Sequence, residues 1–272
     1  MIKKEYAYAG IIIALILGIA VGWTIRGPGA EVPEAKFPGP DVPPTGTKII
    51  HGMDAAYPPF TEVDPTGKAV GFDVDVVDWI AAKYGWEVEH KAWDWSLIVT
   101  AVLEGDLDFV ASGMTHTAAR AETVWFTLPY YTYIHQLIVP VDDLRTWEEV
   151  LDSGDTISCQ LGATSDEWAG KLLAEGYNFE KLALDSYELA FEAVLDGRAA
   201  GCISDSGFTG PYFKRQPEAA ADLKILSSIG GYEVYAYATR PEDYGLRNAL
   251  NHALAELMAS PDWDAMKAKW DV

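Results

Sequence analysis

The chain has 272 residues, 49% of them apolar, which is enough for one large domain or two small domains with a buried core. Its 41 Asp and Glu residues outnumber 20 Lys and Arg residues, for a formal net charge of -21 at pH 7. This excess of negative charge argues against binding to nucleic acid or to an anionic lipid surface.

An uncharged apolar segment runs from Tyr6 to Ile25, close to the N-terminus. About 20 apolar residues are long enough to span a bilayer. Lys3 and Lys4 precede the segment, which favours a cytoplasmic N-terminus and places the rest of the chain outside. Residues 1–25 are therefore predicted to be an uncleaved transmembrane anchor, with a cleaved signal peptide as the alternative.

The segment 26–46, RGPGAEVPEAKFPGPDVPPTG, is rich in proline and glycine. Proline removes backbone donors and glycine adds conformational entropy, so no packed element is expected in this segment. It is predicted to be a semi-extended tether with a reach of at most roughly 60 Å.

From Thr47 onward, short apolar runs alternate with segments of helical periodicity. The first set of predicted elements is the strand TKIIHGM, a hairpin around Asp64–Gly67, the helix DVVDWIAAKYG, the strand EVEHKAW, the helix WSLIVTAVLEG and the strand LDFVAS. The second set alternates strands and helices in the order DTISCQ, SDEWAGKLLAEG, EKLALD, SYELAFEAVLDG and AAGCIS. The chain closes with YEVYAYAT and two helices, EDYGLRNALNHALAELMAS and PDWDAMKAKW. Alternating strands and helices predict parallel sheets flanked by helices, and the repetition of this pattern predicts two α/β lobes with a cleft between them.

The two cysteines, Cys159 and Cys202, each end a short apolar stretch and have no zinc-site spacing. The sequence is compatible with two buried free thiols and with a disulfide. The five histidines are scattered, and there is no HExxH, GxSxG or phosphate-loop motif. No metal or cofactor is therefore predicted.

Ligands of open parallel sheets bind beyond the carboxyl ends of the strands. Each predicted strand end is followed by polar, aromatic or glycine residues. These segments are Asp54–Phe60, Asp94–Ser96, Gly113–Arg120, Gln160–Ser165 and Ser204–Ser206. Their convergence predicts one binding site between the lobes.

These strand ends carry the motifs DAAYPPF, GFDVD, GDLD, SGMTHTAAR and PYY, in this order. From about Thr47 to the C-terminus the chain resembles the amino-acid-binding solute-binding proteins of ABC importers, which are type II periplasmic binding proteins of family 3. The resemblance implies two lobes, each a mixed, mostly parallel sheet flanked by helices, joined by two hinge strands. It implies lobe 1 from 47–132 and 236–272, lobe 2 from 133–235, and hinges near Tyr131–His135 and Tyr232–Ala236.

The resemblance also implies which residues bind the backbone groups of an amino acid. Arg120 would bind the α-carboxylate, because a guanidinium offers two parallel N–H bonds to the two oxygens. Thr164 and Ser165 would add donors from the second lobe. Gly113 and Thr115 would face both the α-ammonium and the carboxylate.

Asp205, on the second lobe, would pair with the α-ammonium, so that closure of the lobes depends on the ligand. Tyr57 and Trp95 would enclose the ligand side chain, and Asp54 would lie near its far end. The residues expected to determine ligand identity are Asp54, Tyr57, Trp95, Gln160 and Ser204. Because Asp54 suits a cationic or amide group and Gln160 stands where some relatives carry a cation, a polar or basic amino acid is favoured.

The expected function is therefore that of a solute-binding protein, tethered outside the cell membrane, that delivers an amino acid to an ABC permease. Two alternatives use the same fold: a ligand sensor for a separate signalling partner, and an enzyme resembling cyclohexadienyl dehydratase. The enzyme would need a positioned general acid. Asp54 and Asp205 are the candidate acids, but both have a simpler role in binding, so no catalysis is expected.

Overall fold

The computed structural model describes residues 34–37 and 41–272. The predicted transmembrane segment, Tyr6–Ile25, lies outside these residues. Within the described part of the chain, no helix combines the length and the apolarity that a membrane crossing requires.

The described strands alternate with helices along the chain. The strands are β1 Lys48–Met53, β2 Ala56–Tyr57, β3 Thr61–Val63, β4 Ala69–Val70, β5 Glu87–Ala92, β6 Phe109–Val110, β7 Trp125–Phe126, β8 Tyr131–Pro140, β9 Thr156–Gln160, β10 Glu180–Leu184, β11 Gly201–Asp205, β12 Leu223–Tyr235 and β13 Ala238–Thr239. The helices are α1 Phe72–Tyr84, α2 Ile98–Glu104, α3 Ala118–Ala121, α4 Trp147–Leu151, α5 Thr164–Glu175, α6 Tyr187–Leu195, α7 Ser206–Arg215, α8 Pro217–Asp222, α9 Tyr244–Met258 and α10 Pro261–Trp270, with a 3-10 turn at Trp95–Leu97.

Each lobe is built on a five-stranded sheet. The strand order is β5-β1-β6-β13-β7 in the first lobe and β10-β9-β11-β8-β12 in the second. In the first sheet β13 runs antiparallel to its neighbours, and in the second sheet β8 does so. The predicted two-lobe α/β fold with mixed, mostly parallel sheets is confirmed.

The strands β8 and β12 form a long antiparallel pair, from Tyr131 opposite Tyr235 to Pro140 opposite Leu223. The end of β12 also reaches the loop after β6, in the first lobe. There Thr115 forms a β-bridge with Tyr235. This connection fixes the loop that carries several of the predicted binding residues.

Five elements were not predicted from the sequence: the strands β2 and β7 and the helices α4, α7 and α8. The strands β8 and β12 were predicted only at their hinge ends, near Tyr131–His135 and Tyr232–Ala236. Helix α7 contains Pro211, together with Gly207 and Gly210, which conceal its helical pattern. Its start is stabilised by Asp205, whose carboxylate accepts a hydrogen bond from the Phe208 N–H at 2.8 Å. A residue assigned to ligand binding therefore also caps a helix.

The predicted tether is packed against the first lobe over part of its length. The Lys36 ammonium lies 2.6 Å from the Asp108 carboxylate. The Phe37 N–H donates to Asp243 at 2.7 Å, and the carbonyl of Pro43 accepts from the Trp86 indole at 2.9 Å. Among the described residues of this segment, 34–37 and 41–46, no helix or strand forms, but these contacts pack part of the segment on the first lobe. The backbone of this segment meets polar groups from distant parts of the chain.

Cys159 and Cys202 lie on β9 and β11 and are fully buried free thiols. Burial raises the pKa of Cys159 to about 12 and raises that of Cys202 well above its usual value. Thiols with raised pKa values are poor nucleophiles at neutral pH, so both cysteines serve as small core residues.

Gly71, directly before α1, provides a test of the packing between this helix and the hairpin. Its backbone φ is 137°, and an added Cβ would overlap the backbone carbonyl of Phe60. We expect Gly71→Ala to lower the free energy of unfolding by about 3 kcal/mol, from overpacking and backbone strain together. Gly67→Ala is the control, because its φ is 86° but nothing lies within 4 Å of the new methyl group. Urea denaturation measures both losses, and equal losses would contradict the packing argument.

Candidate ligand-binding site

A cleft of about 250 Å³, including its open mouth, lies between the two lobes. It is lined by Asp54, Tyr57, Trp95, Ser112, Gly113, Thr115, Gln160, Ala163, Thr164, Tyr187 and Asp205. Most of the predicted site residues are in this lining. The predicted residues outside it are Arg120, Ser165 and Ser204. Ser112, Ala163 and Tyr187 were not among the predicted binding residues.

Arg120 lies beside the cleft on the short helix α3, whose first turn is capped by the Thr117 hydroxyl. Its guanidinium donates to the carbonyl of Thr115 at 3.0 Å and to the carbonyl of Gly162, on the other lobe, at 3.0 Å. The guanidinium also lies 5.5 Å from the ring centre of Trp95. Burial lowers the pKa of Arg120, yet an arginine stays charged in proteins. Within the described residues no carboxylate lies at ion-pair distance from Arg120, so this cation has donors available for an anion.

Asp54 is a buried carboxylate whose donors come from both lobes. Its oxygens accept from the Ala56 N–H at 2.9 Å and from the Gln160 amide, across the cleft, at 2.8 Å. Burial raises the pKa of Asp54. The Asp54 N–H in turn donates to the Ser112 hydroxyl at 2.9 Å. Ser112 is the first residue of the SGMTHTAAR motif, and this position next to Gly113 was the signal for it in the sequence.

Asp205 is bound in the same way by a donor from the opposite lobe. The Tyr57 hydroxyl donates to its two oxygens at 2.8 Å each and lies 2.6 Å from the Tyr235 hydroxyl. The Tyr57 ring packs between Phe60 and Phe208, with centroid distances of 5.5 and 5.9 Å. Burial raises the pKa of Asp205 to about 6, although its hydrogen bonds oppose this shift.

Gly113 allows the Tyr57 ring to approach the backbone at the floor of the cleft. Its φ is 56°, and an added Cβ would overlap the Tyr57 ring. The Gly113 N–H donates to Asp73 at 2.8 Å, and the Tyr130 and Tyr237 hydroxyls donate to the same carboxylate. Burial raises the pKa of Asp73 to about 7. The GFDVD motif thus holds the cleft floor through Asp73.

The remaining predicted residues provide further polar groups around the cleft. Ser165 is fully buried in the first turn of α5 and lies 3.1 Å from the Tyr187 hydroxyl, which lines the cleft. The Ser204 hydroxyl and the Trp95 indole N–H are buried and have no hydrogen-bond partner within the described part of the chain. Buried polar groups normally have partners, so these two are available for polar contacts.

Comparison with known proteins identifies the class to which this fold and cleft belong. Residues 49–271 match the family described as bacterial extracellular solute-binding proteins, family 3, and the chain belongs to this family.

Two curated relatives are named for the amino acids that they bind. A probable histidine-binding protein of Neisseria gonorrhoeae is 28% identical over 218 residues, covering 80% of each chain. ABC transporter arginine-binding protein 1 of Escherichia coli strain K12 is 26% identical over 224 residues, covering 82% of this chain and 90% of the relative.

Solved structures show the same fold. An ancestral arginine-binding protein bound to arginine is 31% identical with a TM-score of 0.74, covering 82% of this chain and 97% of that chain. An ancestral amino acid-binding protein described as a precursor of cyclohexadienyl dehydratase is 28% identical with a TM-score of 0.73, covering 82% of this chain and 95% of that chain. The named relatives are binding proteins of transporters, and the fold extends to the ancestry of an enzyme.

The burial of Asp205 predicts how stability depends on pH without ligand. Its folded-state pKa of about 6 lies above the ordinary value of 3.8, so the folded state binds the proton more tightly. This contribution to stability is present below the unfolded-state pKa and is lost as the pH rises through the folded-state pKa. Between about pH 4 and about pH 7, we expect the free energy of unfolding of the wild type to fall by about 2 kcal/mol relative to that of Asp205→Asn, which has no proton to lose.

The measurement is denaturant unfolding of both proteins at the two pH values. Asp73 titrates in both proteins, so its contribution cancels in the difference between them. If the difference in the free energy of unfolding between the two proteins stays constant with pH, Asp205 does not titrate as a buried group.

Proposed function

We propose that this protein captures a basic amino acid in the cleft between its lobes and delivers it to an ABC permease. The observation that carries the proposal is the charge of the cleft. Its lining contains two carboxylates, Asp54 and Asp205, and no cationic side chain, while Arg120 lies beside it. The sum of these charges is -1, and a buried charge needs a partner.

The backbone groups of the ligand account for two of the three charges. Arg120 binds the α-carboxylate, assisted by the first backbone N–H groups of α5, at Thr164 and Ser165, which have no acceptor within the helix. Asp205 binds the α-ammonium in place of the Tyr57 hydroxyl. Gly113 contributes its carbonyl on the same side.

The third charge selects the side chain. Asp54 has no cation at ion-pair distance among the described residues, so a ligand with a guanidinium, ammonium or imidazolium group neutralises the cleft. Trp95 offers a ring face to such a group, and Gln160 and Ser204 add polar contacts. An amide side chain would leave Asp54 charged and unpaired, or require it to take up a proton. The named binding of histidine and arginine by the two relatives supports a basic ligand.

Binding is coupled to closure of the lobes. We assign lobe 1 to 47–132 and 236–272 and lobe 2 to 133–235, with hinges where β8 and β12 enter the second sheet. The hydrogen bonds of Asp54 with Gln160, and of Arg120 with Gly162, join the two lobes. A ligand that contacts both lobes shifts the population toward the closed state by its differential affinity.

The N-terminal segment 1–25 is proposed to tether this domain to the outer face of the membrane, next to the permease. Because Lys36, Phe37 and Pro43 contact lobe 1, the connection from this segment to the lobe is shorter than the full length of 26–46. A role as a sensor input or as an enzyme gains no support from a particular contact. The two candidate acids, Asp54 and Asp205, each receive hydrogen bonds that suit binding rather than proton transfer.

A melting screen of the full chain against single amino acids tests the proposed ligand class. A ligand at about 100 times its dissociation constant stabilises the folded state by about 2.7 kcal/mol. We expect arginine, lysine or histidine to produce the largest rise in melting temperature, glutamine a smaller one and glutamate none. If no amino acid raises the melting temperature, the proposed function is wrong. If glutamine exceeds every basic amino acid, the charge argument fails while the function stands.

Substitutions at the two ends of the ligand should have different effects. Arg120→Ala should weaken the binding of every amino acid ligand by at least about 30-fold, because truncating one partner of a buried ion pair costs about 2 kcal/mol or more. Asp54→Asn should keep binding but shift the preference from basic toward amide side chains. Isothermal titration with arginine and glutamine measures both effects. Unchanged affinity in Arg120→Ala would remove the carboxylate assignment.

A further inference from the structure

Thr115 and Thr164 both line the cleft, with their hydroxyls 3.5 Å apart, and a residue of the hinge contacts both hydroxyls. The Tyr133 hydroxyl lies 2.8 Å from the Thr115 hydroxyl and 2.8 Å from the Thr164 hydroxyl. It also donates to the Glu233 carboxylate at 2.7 Å. Tyr133 is 1% exposed and both threonines are 4% exposed, so this contact is shielded from water.

The fold explains why these residues meet. Tyr133 and Glu233 are directly opposite each other in the antiparallel pair of β8 and β12. Thr115 belongs to the loop after β6, which the β-bridge with Tyr235 attaches to the end of β12. Thr164 begins α5, which follows β9 of the second sheet. Each lobe thus brings one threonine to the hinge tyrosine.

The number of protons in this network determines the direction of each bond. A tyrosine hydroxyl has one proton, and a carboxylate only accepts, so the proton of Tyr133 is directed to Glu233. The Tyr133 oxygen can then only accept, so both threonine hydroxyls donate to it. The Thr164 oxygen is left to accept from His135 Nε2, 3.1 Å away. One hinge residue therefore fixes the orientation of a hydroxyl on each side of the cleft.

Glu233 is held in place by a second donor. The Trp168 indole donates to its other carboxylate oxygen at 3.0 Å. Trp168 can pack there because Gly230, with φ 76°, has no Cβ to meet its ring. Both oxygens of Glu233 thus act as acceptors, and an amide at this position has only one oxygen to serve two donors.

We propose that Tyr133 and Glu233 are positioning residues that couple closure of the lobes to the binding of the groups shared by all amino acids. The inference rests on the proposed function. Tyr133 and Thr164 belong to lobe 2 and Thr115 belongs to lobe 1, so the bond between Tyr133 and Thr115 joins the lobes and exists only when they are together. Neither Tyr133 nor Glu233 lines the cleft, so their effect on affinity does not depend on the ligand side chain.

Tyr133→Phe in the full chain is the main test. The loss of the hydrogen bonds of one hydroxyl should weaken the binding of arginine and of glutamine by the same factor, roughly 10, which corresponds to about 1 to 1.5 kcal/mol. The ratio of the two affinities should stay unchanged. Tyr232→Phe is the matched control, because Tyr232 lies on the hinge strand β12 but is 80% exposed, and its affinities should not change. Isothermal titration gives the dissociation constants, and small-angle scattering gives the ligand-induced compaction, which Tyr133→Phe should reduce.

Glu233→Gln keeps the shape of the side chain but removes one acceptor, so it should also lower the affinities for arginine and glutamine. This variant tests the proposal independently if Tyr133→Phe fails to fold. The inference is overturned if the variants lower the melting temperature of the unliganded protein but leave the dissociation constants unchanged. It is also overturned if they change the ratio of arginine to glutamine affinity. If the wild type itself binds no amino acid, the proposed function fails first, and this inference fails with it.

Discussion

Two buried carboxylates line the cleft, one from each lobe, and each accepts a hydrogen bond from a donor on the opposite lobe. Asp54 of the first lobe accepts from Gln160 of the second, and Asp205 of the second accepts from Tyr57 of the first. Removing a carboxylate from water is costly unless hydrogen bonds or a counter-charge compensate. The position of the lobes relative to each other therefore depends on how these two charges are satisfied. The same requirement makes the cleft suitable for a ligand that brings cations.

The scaffold around this charge pair is rigid where the ligand is expected to bind. Asp73 accepts hydrogen bonds from the Gly113 N–H and the Tyr130 hydroxyl, which fixes the loop beneath the cleft. Tyr57 is held by neighbouring aromatic rings, so its hydroxyl is directed at Asp205 without loss of further side-chain entropy. Little binding energy is then needed to order the Tyr57 ring, but its hydrogen bond to Asp205 must be exchanged for the proposed α-ammonium.

The fold alone does not separate a binding protein from an enzyme, since related ancestral proteins led to a dehydratase. The two roles require different contacts at a cleft carboxylate. Each carboxylate of the cleft is engaged by N–H or O–H donors that stabilise its charged form. A general acid would instead need its proton directed at a substrate.

The sequence by itself determined the class of fold and predicted most residues of the candidate cleft, because strand ends and short motifs are local patterns. The apolar positions Val76, Val77 and Ile80 predicted α1, and Gly85 ends it in a left-handed conformation, as its sequence position indicated. The motif around Arg120 predicted the binding loop through its resemblance to a known family. What only the tertiary structure decided are contacts between residues far apart in the chain, such as Lys36 with Asp108 and Tyr133 with both Thr115 and Thr164. No periodicity or short motif encodes such pairs, since their distance depends on how two sheets and a hinge come together in space.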